Sequence, residues 1–97
     1  MLLIFEWEAE KAAGNRRKHR VGFEEARTVF NDPFLVSFPD EYHSETEQRL
    51  ISIGASADGR ILLVVHTEMP AEGNAALIRM ISARKATASE RKVYEEK

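Results

Sequence analysis

A chain of 97 residues, 43% hydrophobic and 31% charged, is long enough for one domain around a single core and is not the composition of a disordered segment. A formal charge of −2 with pI near 5.9 argues against a general nucleic-acid binder, and zero cysteines exclude a disulfide framework and a thiolate metal site. No apolar run approaches the ~18 residues of a membrane helix, and Met1–Phe5 meets Glu6 without a basic stretch, so neither a span nor a signal peptide is expected and the cytoplasm is the expected compartment.

Leu2–Phe5 reads as a short strand, closed by Glu6-Trp7-Glu8. Glu8 to about Arg20 is rich in Ala, Glu, Lys and Arg and is expected to be a helix. Its acidic residues stand in the first turn and its cations in the last, as the helix dipole favours. From Lys11 to Arg20 five cations (Lys11, Arg16, Arg17, Lys18, Arg20) and His19 occur without a carboxylate, a run able to bind polyanions. Spacing places Trp7, Lys11, Asn15 and Lys18 on one helix face. Gly22 is placed to cap a second helix, whose Phe23, Ala26, Val29 and Phe30 recur at core spacing and which Asn31-Asp32-Pro33 ends.

Phe34–Phe38 alternates as a strand with Phe34, Val36 and Phe38 inward. Pro39–Thr46 is an acidic loop holding Tyr42 and His43. Glu47–Ser56 and Ile61–Glu68 are two strands about Asp58-Gly59, a two-residue hairpin signal. That turn pairs Arg49 with Glu68, Ile51 with His66 and Ile53 with Val64, all on one side of the sheet. After a Met69–Ala75 connection, Leu77–Ala83 is the next strand, and Thr87-Ala88-Ser89-Glu90 is a complete capping box opening a helix to Glu96. The order β-α-α-β-β-β-β-α specifies an α+β fold: one domain over residues 1–97, an antiparallel sheet with two N-terminal helices and one C-terminal helix.

Chemistry-bearing residues come from four places: Asn15, Lys18 and His19 at or near a helix end, Arg49, His66 and Glu68 on the hairpin, Arg79 and Arg84 on the last strand, and Tyr94 on the last helix. Brought together, they suit cleavage of RNA without a metal: one group takes the 2′-hydroxyl proton, arginines stabilise charge on the phosphate, another group protonates the leaving oxygen. They suit two-metal chemistry poorly, because carboxylates and histidines are not grouped at ligand spacing. Each residue also has an ordinary reading. Arg49 with Glu68 is a cross-strand ion pair, His66 a half-buried strand residue, Arg79 and Arg84 are edge cations, and Tyr94 and Trp7 pack.

The motifs together are more specific than any one. Phe5-x-Trp7-Glu8-x-x-Lys11, Asn15-x-x-Lys18-His19-x-Val21-x-Phe23-x-x-Ala26, Asp32-Pro33, Arg49-x-x-x-Ile53-Gly54, Arg79-x-Ile81-Ser82-Ala83-Arg84-x-Ala86 and Glu90-Arg91-x-x-Tyr94-Glu95 resemble the BrnT family, in order, from Phe5 to Glu95. The resemblance implies a RelE-like fold and a ribonuclease toxin of a type II toxin–antitoxin pair that works without metal or cofactor. It also implies a BrnA-type antitoxin as partner, an RNA substrate, and operator DNA reached only through the antitoxin. Carried onto this chain, its motifs cover Lys18, His19, Arg49, Arg79, Arg84 and Tyr94; with Glu68 added from the residue reading, the expected catalytic set is His19, Arg49, Glu68, Arg79 and Arg84, the arginines on phosphate and His19 or Glu68 moving the proton. Lys11, Lys18, Arg91 and Tyr94 are the RNA-binding candidates. Glu8 stands where the family usually has Asp, Gly22 where it has Ser, and the Met69–Asn74 connection is longer than usual. A non-enzymatic or degenerate toxin-fold protein that acts by binding is the alternative.

Overall fold

Leu3 and Phe5 turn toward the core while Leu2 and Ile4 stay exposed, the alternation of a strand with one covered face. This is β1 (Leu2–Glu6) in the computed structural model, which describes residues 2–42 and 47–96. The chain continues through α1 (Ala9–His19), a single-turn α2 (Phe23–Ala26) that tightens into a 3-10 turn (Arg27–Asn31), β2 (Val36–Pro39), β3 (Leu50–Ala55), β4 (Ile61–Pro70), β5 (Ala75–Lys85) and α3 (Ala88–Glu95). No helix among the described residues is long and apolar enough to cross a membrane. Residues 43–46 of the expected acidic loop, His43 among them, lie outside the described residues.

The five strands form one sheet in the order β1-β5-β4-β3-β2. Every neighbouring pair is antiparallel except β1 with β5, which runs parallel and sets Glu6 beside Arg79. The antiparallel sheet read from the sequence is present, with one parallel edge that the sequence did not announce. Nothing local joins β1 to β5, so no turn chemistry announces their relative direction.

The central hairpin corrects an expectation. Its loop is three residues, Ala57–Gly59: the Ser56 N–H bonds the Arg60 carbonyl at 2.8 Å and the Gly59 N–H bonds the Ser56 carbonyl at 2.9 Å, with Gly59 at φ +83°. The ladder is therefore slipped by one residue: Leu50 faces His66, Ile51 faces Val65 and Ile53 faces Leu63, and the expected Arg49–Glu68 opposition does not form. A slip of one turns His66 to the face opposite Ile51. Between Val65 and His66 the β4–β5 register also jumps, from Ser82 to Met80, and Ile81 is the extra residue of a bulge.

One face of the sheet is covered by the first two helices, where Val21, Phe23, Ala26, Val29, Leu62, Val64, Ile78, Met80 and Ala83 form the core. Asn15 bolts α1 to that face. Its side-chain amide donates to the carbonyls of Val21 and Ala83, both at 2.8 Å, and its oxygen accepts the Ala83 N–H at 3.0 Å. Gly54 permits a close approach: a Cβ there would lie 2.7 Å from Leu35 Cδ1 and 3.3 Å from the Val29 carbonyl, and both would have to shift to admit it. Asp32 ends the 3-10 turn by accepting the Phe34 N–H at 2.9 Å, which holds Phe34 in the turn and exposed instead of inward, so β2 starts two residues later than expected.

On the other face α3 packs against β3, over the side of Ile53 and Leu63. Its start is the expected capping box, with Thr87 Oγ1 accepting the Glu90 N–H and Glu90 accepting the Thr87 N–H. The rest of this face, toward Arg49, Val65 and Ile81, is open and lined as a cleft. The fold leaves a half-covered sheet surface, and that surface carries the cations.

Candidate active site

Strand alternation decides which side chains reach the open face. Arg49 lies two residues before Ile51, and Arg84 pairs with Leu63, so both project on the α3 side. They line a cleft of about 340 Å³ with Asp40, Ile51, Val65, Ile81, Ser82 and Glu90. Arg49 and Ile81 are shared with a second cleft of about 250 Å³, where β1 runs into α1 and brings Glu6, Trp7, Glu8, Lys11, Glu47 and Arg79. Glu6, Glu47 and Arg79 are shared in turn with a third, of about 190 Å³, which contains Glu68. Arg84, Arg49 and Arg79 therefore stand along one continuous surface.

Each cation has an acidic neighbour. Arg84 meets Glu90 in a two-point contact, Nη1 to Oε1 at 2.8 Å and Nη2 to Oε2 at 2.9 Å, the fork geometry of a strong charge-assisted pair. The Arg84 guanidinium, helped by the Thr87 N–H, pushes the Glu90 carboxyl down to about 2. Arg79 Nε lies 3.0 Å from Glu6 Oε2 in an exposed setting, Lys11 Nζ lies 3.6 Å from Glu8, and Arg49 Nε lies 3.9 Å from Glu47. Among the described residues no three of Asp, Glu and His are grouped to hold a metal ion.

Of the residues expected from sequence, the structure brings together Lys11, Arg49, Arg79 and Arg84; Glu68 borders the adjoining cleft but pairs with Ile78, on the face opposite Arg79. Four others are elsewhere. His19 ends α1, eight residues from Lys11 and hence ~12 Å along the helix axis, and lines none of these three clefts. Lys18 stands beside it, exposed and without an ion pair among the described residues. Arg91 faces Glu95 at 4.0 Å and borders a separate cleft with Arg60 and Lys85. Tyr94 donates its hydroxyl to Asp32 Oδ2 at 2.6 Å, which pushes the phenol up to about 12, and the same carboxylate oxygen accepts the Ala55 N–H at 2.8 Å.

His66 is a structural strand residue, as in its ordinary reading, but fully and not half buried, at 1% exposure. Its Nε2 lies 2.7 Å from Ser52 Oγ and its ring sits edge-on to Phe30 at 5.0 Å, so burial pushes the imidazole below its usual range. Sequence reasoning missed the carboxylates Glu6, Glu47 and Asp40. Glu6 is next to Arg79 only because β1 pairs with β5, a contact across 73 positions that no spacing pattern carries.

A family model described as the ribonuclease toxin BrnT of type II toxin–antitoxin systems matches residues 7–90. Among solved structures, the chain is similar to the 1.1 Å crystal structure of the Brucella abortus ribonuclease toxin BrnT, with a TM-score of 0.61 and 24% identity over 90% of this chain and 99% of that one. At that identity the likeness is one of fold. A comparison with the curated proteins finds no match.

Proposed function

The chain belongs to the BrnT family of type II toxin–antitoxin ribonuclease toxins, and from that premise we propose that it cleaves RNA, without a metal ion, on the cationic sheet face that α3 leaves open. The observation that carries this reading is the placement of Arg49 where two clefts meet, with Arg79 on one side and Arg84 on the other. A phosphodiester laid along that line meets guanidiniums at each step, and the attacking 2′ oxygen and the departing 5′ oxygen exchange charge beside them. Arg84 is held by Glu90 in one rotamer, so its outer edge is oriented before substrate arrives. Of the two candidates for the 2′ proton, Glu68 is the nearer, since it borders a cleft with Arg79 and His19 borders none of the three; it pairs with Ile78 on the helix-covered face and reaches the RNA only around the exposed end of the β4–β5 ladder. The 2′ oxygen then bonds to phosphorus, the P–O5′ bond breaks, and the open cleft lets water supply the proton to the leaving oxygen.

The partner in this reading is a BrnA-type antitoxin that covers the cationic face with an acidic or amphipathic segment and alone contacts operator DNA. The setting is the cytoplasm. Size measurement of the co-expressed pair tests the partner, and a pair that elutes as separate chains sinks it.

Cleavage of purified total RNA in excess EDTA, by the wild type beside Arg79→Ala, Arg84→Ala, tests the activity. Cutting that survives the chelator and disappears in a folded variant is the expected result. The same ion pairs support a second reading, a toxin-fold protein that acts only by binding, since Arg79 and Arg84 are already countered by Glu6 and Glu90. A well-folded wild type that cuts nothing, with ribosomes or without, decides for it.

A further inference from the structure

β2 is an edge strand, with β3 as its one neighbour, and Phe38 is paired with Ile51. The Asp40 N–H bonds the Arg49 carbonyl at 2.8 Å, so the same ladder continues past the strand and sets Arg49 diagonally from Phe38 on one face. Ile51 and Arg49 both line the open cleft with Arg84. Phe38, 38% exposed, does not itself line that cleft but stands beside its Ile51, and it has no ring partner among the described residues, whereas Phe5, Trp7, Phe23 and Phe30 are all paired in the core. An aromatic side chain at the margin of a row of arginines is the pairing of features by which single-stranded nucleic acid is held: cations track phosphates and a ring carries a base.

We propose that Phe38 is a base-stacking platform for a single-stranded RNA whose phosphates lie along Arg84, Arg49 and Arg79. This rests on the ribonuclease reading and adds a positioning residue to it. A base parked on Phe38 fixes which phosphate falls at Arg49, so the ring contributes to the choice of cut site without touching the reacting atoms. The ring works from a strand, and among the described residues its outer side faces no further strand, which leaves that side for a base.

The test is fluorescence anisotropy of a labelled 2′-O-methyl oligoribonucleotide, which keeps bases and phosphates but lacks the nucleophile, titrated with the wild type, Phe38→Leu, Phe38→Tyr and Phe38→Trp. Leucine keeps the apolar bulk and the fold, checked by thermal melting, and removes the π face. The expected result is about tenfold or greater weakening in Phe38→Leu, with the tyrosine and tryptophan variants near the wild type. On cleavable RNA the leucine variant is expected to raise KM and blur the cut pattern while kcat changes little. Wild-type affinity in Phe38→Leu overturns the inference, as does equal weakening in all three variants. A leucine variant that loses only antitoxin binding also overturns it and makes Phe38 a protein-docking residue. A wild type that does not bind the oligonucleotide overturns it as well, and cleavage of total RNA by that same wild type reports separately on the ribonuclease reading.

Discussion

Replacing Asn15 by alanine deletes three hydrogen bonds at once and leaves the Val21 carbonyl and both polar groups of Ala83 facing a void. The site is 8% exposed, so water does not freely replace the lost amide. Each backbone group stranded in this way costs roughly 1–3 kcal/mol, and with partial relaxation the sum is about 3–5 kcal/mol. For a domain of this size that is a drop in Tm of roughly 15–30 °C and a large share of the whole stability. Asn15→Asp is expected to be no better: a carboxylate can accept from the Ala83 N–H but cannot donate to either carbonyl, and it buries a charge among them. Urea and thermal unfolding followed by circular dichroism measure both variants. A loss under about 1 kcal/mol for Asn15→Ala refutes the reasoning, since it means that the three contacts do not hold α1 to the sheet.

Three further outcomes are expected. Glu68→Gln lowers kcat about 100-fold or more while His19→Gln leaves it within a few-fold, read by single-turnover cleavage; the reverse order removes Glu68 as the base. Glu90 is held at about 2, below its unfolded value of 4.5, so its contribution is present above pH 4.5 and lost as pH falls toward 2. Glu90→Gln should therefore cost about 1 kcal/mol at pH 7, after allowance for solvent screening of a partly exposed pair, and the gap to wild type should close on acidification; a pH-independent gap contradicts this. The Tyr94 phenol is raised to about 12 from 10, so its bond to Asp32 supports the fold below pH 10 and is lost as pH rises through 12. Tyr94→Phe should cost about 1 kcal/mol at neutral pH and remove the late-titrating step from the phenolate absorbance curve.

Element order was legible because its signals are local. The Thr87–Glu90 capping box, the 3.6-residue period of Phe23, Ala26 and Val29, and the β-rich runs each act within a few residues. The hairpin register was not. Asp58-Gly59 reads as a two-residue turn, but Ala57 is drawn into the loop by α2 and the 3-10 turn that follows it: its N–H donates to Thr28 Oγ1 at 2.8 Å, and Ser56 Oγ donates to Glu25 at 2.7 Å. Glu25 in turn grips Arg60 on the far side of the turn. The second helix tightened early for a related reason, since Thr28 Oγ1 donates to the Glu25 carbonyl at 2.6 Å and competes with the helical ladder. For the site, residue types pointed to the arginines, while the carboxylates beside them depend on strand order and could not be read from spacing. Asn15 is the instructive case. Its place beside Lys18 and His19 suggested chemistry, and its three backbone contacts assign it to structure.

Glu90 belongs to two machines. One of its oxygens accepts the Thr87 N–H that starts α3, and the same carboxylate clamps Arg84 on the sheet. The helix start and the guanidinium are thus thermodynamically linked, and linkage is reciprocal. A phosphate that draws Arg84 away from Glu90 loosens the first turn of α3, and a mutation that frays this turn makes Arg84 easier to recruit. Anion affinity at the sheet and protection of the α3 amides from hydrogen exchange then move in opposite directions, and evolution cannot adjust one while leaving the other alone.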